Sequence, residues 1–294
     1  MIKIGALVSG ELGLKALHTF YENNRIELSC VFTDFKSIRI INYCAKYKIK
    51  VFKGNPRNNS AIEFLNSIEK VDILFSVNYL FIIEKELIEY PKLFSLNIHG
   101  SLLPKYRGRT PHVWAIINGE TKVGVTVHKI DTGVDTGDIL LQKEIELDEE
   151  NTGSDVLSKY NIIYPKLIND TINVILDNKA VFIEQVKSKA TYFGKRIPED
   201  GKINWNWSKE RTRNWVRAQA NPYPGAFTYL NNEKIIINRV SFSEMAYSYN
   251  MVNGKVLSAI PLIVKTPNGA LELKDYYFAD NKKVKIDNTD TLGV

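Results

Sequence analysis

The sequence predicts an α/β protein whose sheet is followed by a smaller β-rich domain. In the first hundred residues, near-continuous apolar segments alternate with amphipathic ones, which is typical of parallel strands separated by helices that cover both faces of a sheet. Beyond residue 205, short alternating segments follow one another closely, as in a small barrel. We therefore expect a Rossmann-like, doubly wound, mostly parallel sheet in residues 1–204 and a barrel-like C-terminal domain in residues 205–294.

The predicted strands of the first domain are IKIGALVSG, IELSCVFTDF, KVFKG, DILFSVNY, LFSLNIHG, VGVTVHKI and DILLQKEIEL. Its predicted helices are LGLKALHTFYE, IRIINYCAKYKI, a segment opened by a capping box from Ser60 to Glu63, and residues 153–178. Pro165 is expected to bend or break the last of these. The second domain is expected to hold the helix WSKERTRNWVRAQA and the strands FTYL, KIIINRV, GKVLSAI, PLIVKT and ALELKDYYF.

Composition and charge exclude several classes of protein. The formal net charge is +6, from 39 Lys and Arg less 33 Asp and Glu. This mild excess suits an anionic substrate but falls short of a nucleic-acid-binding signature. Two cysteines form neither a disulfide framework nor a zinc site. Because the start is too quickly polar for a signal peptide and no apolar run has transmembrane length, we expect a cytoplasmic protein without membrane contact.

A pair of glycines follows the first predicted strand, at Gly10 and Gly13. The third glycine of the dinucleotide-binding fingerprint is missing, and Asp34 is poorly placed to be its acidic residue. A tight turn from strand to helix explains the two glycines better, so nicotinamide binding is not expected.

The polar residues with most chemical potential lie between positions 97 and 138. Asn97 and His99 are two apart on a predicted strand, so their side chains project from one face. They come at the carboxyl end of that strand, where α/β sheets bind their ligands. A histidine with an amide partner at this position indicates a catalytic site.

The run SLNIHGSLLPKYRGRTPHVWAIINGETKVGVTVHKIDTGVDTGDILLQ resembles the signature of the 10-formyltetrahydrofolate-dependent formyltransferases. The shared elements are an Asn-x-His pair, a Ser-Leu-Leu-Pro loop and a later Asp-Thr-Gly-Asp. The segment NWVRAQANPYPGAFTYL resembles a second-domain segment of methionyl-tRNA and sugar formyltransferases. The resemblance thus covers most of the chain and places the family's catalytic triad on Asn97, His99 and Asp135.

The chemistry of formyl transfer suits these residue types. A neutral amine attacks the formyl carbon of the folate, and a tetrahedral intermediate forms. Asn97 can donate a hydrogen bond to its oxyanion, and His99 can accept the proton of the amine. Asp135 can orient His99, stabilise its protonated form or join the proton relay. Asp131 and Asp138 are interpreted as residues that form the turn.

The repeat of Asp-Thr-Gly at positions 131 and 135 also suggests an aspartic protease. In such enzymes two carboxylates contact each other around one proton. Here the aspartates are four residues apart in one glycine-rich loop, and the flanking α/β pattern differs, so we reject that interpretation. No metal is expected, because the histidines and Asp135 lack a recognised ligand spacing.

Departures from the family pattern narrow the choice of formyl acceptor. The glycinamide ribonucleotide enzymes resemble the first domain alone, so the second domain argues against glycinamide ribonucleotide as the acceptor. The long basic insertion of the methionyl-tRNA enzymes is missing after the second strand. The run HGSLLPKYRGR is similar to the formyltransferase domain of the polymyxin-resistance enzyme and to other sugar-nucleotide N-formyltransferases. We therefore expect a TDP- or UDP-linked 4-amino-dideoxy sugar, made for surface polysaccharide such as O-antigen in lipopolysaccharide. The alternative is a methionyl-tRNA formyltransferase with a shortened loop, and a non-catalytic folate- or sugar-nucleotide-binding relative is the third hypothesis.

The resemblance also implies residues for the two co-substrates. The folate is expected to meet Leu80, Phe81, Ile83, Ile130, Asp131 and Asp135. The sugar nucleotide is expected to meet Ser101, Lys105, Arg107, Arg109 and Tyr223. The alternative for Arg107 and Arg109 is an ion pair that anchors the loop, and for Tyr223 it is domain-interface packing. Related enzymes suggest a homodimer through the second domain.

Overall fold

The computed structural model describes residues 1–280 and 284–293. The strands are β1 (Ile2–Val8), β2 (Ile26–Thr33), β3 (Lys50–Lys53), β4 (Ile73–Val77), β5 (Phe94–His99), β6 (Arg107–Gly108), β7 (Lys122–Lys129), β8 (Ile139–Glu146), β9 (Tyr192–Phe193), β10 (Ala226–Leu230), β11 (Glu233–Ser243), β12 (Val256–Ala259), β13 (Leu262–Thr266) and β14 (Gly269–Phe278). The helices are α1 (Gly10–Glu22), α2 (Ile38–Lys46), α3 (Ile62–Asn66), α4 (Lys85–Ile88), α5 (Pro111–Ile117), α6 (Gly153–Leu176) and α7 (Lys209–Gln219).

The main sheet has seven strands in the order β3-β2-β1-β4-β5-β7-β8. The first five of these pair in parallel, and β7 runs antiparallel to β5. The mostly parallel α/β sheet is confirmed. The antiparallel direction of β7 determines the geometry of the site. It places the carboxyl-terminal half of β7, residues 126–129, opposite the end of β5 that carries Asn97 and His99.

The central strands β1 and β4 are buried on both faces, as their unbroken apolar sequences predict, whereas much of the edge strands β3 and β8 is exposed. β4 is buried along its whole length, and so are the last five residues of β1. On one side, Phe32 packs edge-on against Phe64, with ring centroids 5.2 Å apart. Each large side chain buried in this way contributes about 1.5–3 kcal/mol to folding. This core fixes the strand ends from which the polar side chains project.

The turn after β1 agrees with the structural explanation of its glycines. Gly10 has a φ of +64°, in the left-handed region that favours glycine. A Cβ on Gly13 would lie 3.1 Å from the backbone of Val8, so the missing side chain allows α1 to pack closely on the end of β1.

One local expectation from the sequence is wrong, and a second is settled only in part. The helix α3 begins at Ile62, and the Ser60 hydroxyl donates to the carbonyl oxygen of Asn55 at 2.6 Å, so the capping box does not form. The helix α6 continues through Pro165, so of the expected bend or break the break does not occur. The Ser60 hydroxyl thus binds the nearby carbonyl oxygen of Asn55, whereas the capping box would have bound it to the amides of the first turn.

Two compact units are distinguished within the chain. The first comprises residues 1–108, 123–145 and 158–193, and the second comprises residues 109–122, 146–157 and 194–294. The second unit holds a five-stranded antiparallel sheet in the order β10-β11-β14-β13-β12. Its helix α7 is capped by Ser208, whose hydroxyl accepts from the amide of Arg211. The β-rich character of the C-terminal domain is confirmed, whereas the boundary at residue 204 stays a prediction.

Both cysteines, Cys30 and Cys44, are buried free thiols. Within residues 1–280 and 284–293, no helix has both the length and the apolar character needed to cross a membrane.

Candidate functional site

A polar pair opens the site at the end of β5. Asn97 lies directly opposite His128 of β7 in the antiparallel pairing, and His99 lies opposite Thr126. Side chains of directly opposed residues share one face of a sheet, and so do residues two apart on one strand. Asn97, His99 and His128 therefore project into the same space.

The loop after β5 is held by buried side-chain hydrogen bonds. The Thr126 hydroxyl donates to the carbonyl oxygen of Ser101 at 2.7 Å. The amide of Gln142 donates to the carbonyl oxygen of Leu103 at 3.0 Å and to the Thr126 hydroxyl at 2.8 Å. These bonds fix the Ser-Leu-Leu-Pro backbone and, through it, the residues that follow.

His99 is buried, with its side chain 8% exposed. Its Nε2 lies 2.7 Å from the carbonyl oxygen of Tyr106, so this nitrogen carries a proton and donates it. Its Nδ1 lies 3.5 Å from Oδ2 of Asp135. Burial lowers the pKa of His99, and the carboxylate opposes this only in part. The ring is therefore neutral near pH 7, and Nδ1 is the nitrogen able to accept a proton.

Asp135 lies at the centre of the cluster. It has a φ of +53°, a conformation uncommon for residues other than glycine. Its Oδ2 accepts from the amide of Gly108 at 2.8 Å, and its Oδ1 lies 3.6 Å from Nε2 of His128. Burial by itself would raise the pKa of Asp135, but the protonated forms of the His99 and His128 rings, which exist at acid pH, and the hydrogen bond from the Gly108 amide favour the carboxylate and hold the pKa well below its ordinary value. Asp135 is thus ionised.

The backbone of the Asp135 loop is anchored by Gln185. Its amide donates to the carbonyl oxygens of Asp135 at 2.9 Å and Gly137 at 2.7 Å. Its Oε1 accepts from the guanidinium of Arg107 at 2.7 and 3.2 Å. Arg107 is 3% exposed and also donates to the hydroxyl of Tyr192. Arg107 thus contacts its surroundings through hydrogen bonds to neutral side chains rather than through the ion pair expected as the alternative, and its contact with the diphosphate stays a prediction.

The other two aspartates of the loop have local partners. Asp131 is exposed and accepts from the amide of Gly133 at 3.0 Å and the hydroxyl of Thr136 at 2.5 Å. Asp138 pairs with Lys129 at 3.1 Å. These contacts are those of turn-forming residues.

The predicted folate residues lie on the segments after β4 and β7. Leu80 is 47% exposed, and Phe81 and Ile83 are half-buried. The amide of Ile130 donates to the carbonyl oxygen of Ser95 at 2.8 Å, which ties the start of the Asp135 loop to β5.

A cavity of about 320 Å³ opens at the carboxyl ends of β1, β2 and β4. Its lining includes Ser9, Asp34, Lys36, Arg39 and Leu80. The Ser9 hydroxyl is buried, and a hydrogen bond from it contributes to lowering the pKa of Asp34, whereas Arg39 pairs with Glu11. A cavity at the point where the strand order reverses is the usual ligand position of an open α/β sheet.

The remaining predicted substrate residues differ in exposure. Ser101 is buried and donates to the carbonyl oxygen of Lys105 at 2.7 Å, and the Lys105 side chain is exposed. In the second unit, Arg109 is exposed. There the hydroxyl of Tyr223 lies 2.6 Å from Nε2 of His112, and burial raises the pKa of Tyr223 to about 12.

Four contributors to the cluster were missed from the sequence. They are the His128 ring, the Tyr106 carbonyl, the Gly108 amide and the Gln185 side chain. The two backbone groups have no signature in residue type. Only the position of His128, directly before a loop containing aspartates, offered a signal.

The arrangement defines an enzyme that transfers an acyl-type group to a nucleophile. It combines an amide donor and a neutral histidine base at the end of β5 with an ionised carboxylate on the loop after β7. No group of three or more His, Cys, Asp or Glu residues able to hold a metal ion occurs in the part of the chain that the structure describes.

Comparisons with known proteins make the class specific. The profile of the formyl transferase family matches residues 25–172, and that of the formyl transferase C-terminal domain matches residues 195–290. The bifunctional polymyxin resistance protein ArnA of Wigglesworthia glossinidia brevipalpis is 39% identical over 230 residues, which are 78% of this chain and 34% of that protein. The chain thus spans about a third of the length of that relative. A methionyl-tRNA formyltransferase of Ruminiclostridium cellulolyticum is 32% identical over 248 residues, which are 83% of this chain and 78% of that protein.

A solved structure shares the fold. The N-formyltransferase from Helicobacter canadensis, in complex with folinic acid and dTDP-3-aminofucose, superposes with a TM-score of 0.69 at 22% identity, covering 94% of this chain and 100% of that one. The chain therefore belongs to the formyl transferase family, and it is a formyl-transfer enzyme.

Proposed function

We propose that the enzyme moves the formyl group of 10-formyltetrahydrofolate to the amine of a TDP- or UDP-linked 4-amino-dideoxy sugar, in the synthesis of surface polysaccharide. The observation that carries the proposal is the convergence of Asn97, His99 and Asp135 at the end of β5. A fold shared with an enzyme bound to folinic acid and dTDP-3-aminofucose supports this class of acceptor. So does the similarity to a polymyxin resistance protein.

Asn97 acts on the oxygen of the formyl group. The nitrogen of the sugar amine attacks the formyl carbon, and the carbonyl oxygen becomes an oxyanion in the tetrahedral intermediate. An amide N–H of Asn97 donates to that oxygen. Loss of one such donor typically costs about 3–4 kcal/mol of barrier.

His99 accepts the proton that the attacking amine must lose. Because Nε2 donates to the Tyr106 carbonyl oxygen, Nδ1 takes the proton. Collapse of the intermediate breaks the bond between the formyl carbon and N10 of the folate, and N10 receives the proton that His99 accepted, which returns His99 to its neutral form. The products are the formamide of the sugar and tetrahydrofolate, so atoms and charge balance.

Asp135 stabilises the protonated form of His99. The imidazolium that forms would have its Nδ1 3.5 Å from Oδ2 of Asp135, which is ionised and already held by the Gly108 amide. A carboxylate fixed before the reaction stabilises the new charge without reorganising. Of the three roles that the sequence left open, this one fits the geometry best.

The two co-substrates would use the segments around this cluster. We place the pterin against Leu80, Phe81, Ile83 and the backbone from Ile130 to Asp131, as the family resemblance implies. For the diphosphate, the first unit offers the exposed side chain of Lys105, whereas the buried guanidinium of Arg107 donates to Gln185.

A methionyl-tRNA formyltransferase is the second candidate, because a relative with that name aligns with 83% of this chain. The missing basic insertion after β2 favours the sugar. A single assay separates the two candidates: the enzyme and 10-formyltetrahydrofolate are incubated with TDP- and UDP-linked 4-amino and 3-amino sugars, and with charged initiator tRNA. A formamide on a sugar nucleotide is expected, and formylation of the tRNA alone would overturn the proposal.

A further inference from the structure

His128 is a buried histidine to which the mechanism above gives no role. Its side chain is 3% exposed, and it lies directly opposite Asn97 across the β5–β7 pairing. A buried polar ring needs partners for both nitrogens. Those partners determine which of the two nitrogens carries the proton of the neutral ring.

The contacts of His128 select one neutral form. Nδ1 lies 2.6 Å from the carbonyl oxygen of Lys129, which can only accept, so Nδ1 carries a proton. In the neutral ring Nε2 then has a lone pair and must accept. The group that faces Nε2 is the amide nitrogen of Asn97, at 3.2 Å.

This contact fixes the orientation of the Asn97 amide. The two ends of an asparagine amide have nearly the same shape, and only hydrogen-bond partners distinguish them. With one N–H donated to His128, the second N–H of the same nitrogen remains for the reaction. In the opposite orientation Asn97 would present a carbonyl oxygen, which repels an oxyanion.

We infer that His128 is a positioning residue, which directs an N–H of Asn97 to the oxygen of the formyl group that is being transferred. This inference rests on the role given to Asn97 in the proposed function. It assigns a task to His128 that is distinct from proton transfer by His99.

The charged neighbours of His128 define the competing arrangement. Oδ1 of Asp135 lies 3.6 Å from Nε2, the His99 ring lies edge-on with centroids 6.4 Å apart, and the Lys129 amine pairs with Asp138. A doubly protonated His128 would donate to Asp135 instead of accepting from Asn97. The neutral ring is therefore the form that supports transfer.

The first test uses two variants of His128 in two backgrounds. His128→Phe keeps a flat ring and removes the acceptor, whereas His128→Gln keeps an acceptor oxygen. We expect kcat to fall about 10- to 100-fold in His128→Phe with KM for both substrates unchanged, and to recover at least in part in His128→Gln. In the Asn97→Ala background, His128→Phe should cause no further loss, because the two residues act as one unit.

A matched control is His18→Phe, which replaces a histidine that stacks on Tyr43. It should leave kcat unchanged. Equal losses in His128→Phe and His128→Gln would overturn the inference. So would a loss in His128→Phe that is the same with and without Asn97.

The second test needs no turnover and decides the matter if His128→Phe fails to fold. In ¹⁵N spectra of histidine-labelled wild-type enzyme, Nδ1 of His128 should be protonated and Nε2 should have the shift of a bare acceptor at neutral pH. A proton on Nε2 would overturn the inference. Failure of the proposed function is distinct from this result, since it would appear as wild-type enzyme that formylates no amino sugar.

Discussion

The same tripeptide, Asp-Thr-Gly, occurs at positions 131–133 and 135–137 and has two different environments. Asp131 is exposed, and its carboxylate serves the turn of its own loop. The side chain of Asp135 is 15% exposed and meets two histidine rings and the Gly108 amide. Burial and partners, rather than residue type, make one aspartate a candidate for catalysis and the other a loop residue.

The two glycines of the repeat make the same distinction. A Cβ on Gly133 would meet the hydroxyl of Thr136, inside the loop. A Cβ on Gly137 would meet the carbonyl oxygen of Lys129, at the end of β7. The second tripeptide thus lies against the sheet that carries the candidate catalytic cluster, whereas the Gly133 of the first packs within its own loop.

The largest effect is expected when the two aspartates are replaced in turn. Asp135→Ala should lower kcat by about 10²- to 10⁴-fold, because the imidazolium of His99 loses its counter-charge. Asp131→Ala removes only turn hydrogen bonds and should change kcat by less than about tenfold. Steady-state kinetics of both variants at one pH provides the measurement, and equal losses would show that the comparison is wrong.

The pH dependence sharpens the role of Asp135. Because burial lowers the pKa of His99, the acid limb of kcat/KM in wild-type enzyme should lie below the ordinary histidine pKa of about 6.5. In Asp135→Asn the carboxylate that favours the protonated ring is lost, so the pKa of His99 should fall further. An NMR titration of the His99 ring measures this directly. A rise in that pKa would contradict the assigned electrostatics.

Gln185 should matter less than Asp135, and through geometry. Gln185→Leu removes two donors from the Asp135 loop and the Gln185 acceptor of the buried Arg107 guanidinium, which should cost about 1.5–3 kcal/mol of stability. Gln185→Glu keeps the acceptor for Arg107 but loses both donors. It should therefore lose less stability than Gln185→Leu and still lose kcat. Thermal unfolding and kinetics of the pair separate the two functions, and full activity in Gln185→Glu would refute the anchoring role.

The smallest effect on substrate binding is expected at Arg107. Because its guanidinium is bound by Gln185 and Tyr192, Arg107→Lys should lower the unfolding temperature and leave KM for the sugar nucleotide nearly unchanged. Lys105→Ala is the matched variant on the exposed side of the loop, and it should raise that KM. A raised KM in Arg107→Lys together with an unchanged KM in Lys105→Ala would show that Arg107 binds the diphosphate.

Part of this picture was predictable from the sequence, and the reason is local. Period-two spacing put Asn97 and His99 on one face, and unbroken apolar runs predicted the sheet whose carboxyl ends hold them. The place of His128 depends on the antiparallel register of β7, which no local pattern encodes. The contributions of Gly108 and Tyr106 are backbone groups, available only once the loop is closed.

The capping-box error and the open assignment of Arg107 have a common physical cause. Ser60 was interpreted from its motif as a helix cap, and Arg107 was assigned either to the diphosphate or to anchoring of its loop, so its contact with the diphosphate stays a prediction. In the fold each has a nearer partner, the carbonyl oxygen of Asn55 for Ser60 and the side chain of Gln185 for Arg107. Competition between partners is decided by tertiary structure, so a motif alone could not show it.

The central claim is that His99, supported by Asn97 and Asp135, catalyses formyl transfer to a sugar amine. The most direct test compares wild type with His99→Ala in single turnover, with 10-formyltetrahydrofolate and a TDP-linked 4-amino sugar, by mass spectrometry of the sugar nucleotide. Wild type should yield the formamide, and His99→Ala should be slower by about 10²- to 10⁴-fold while it still binds the folate. A near-normal rate in His99→Ala, or no formamide with wild type, would contradict the account.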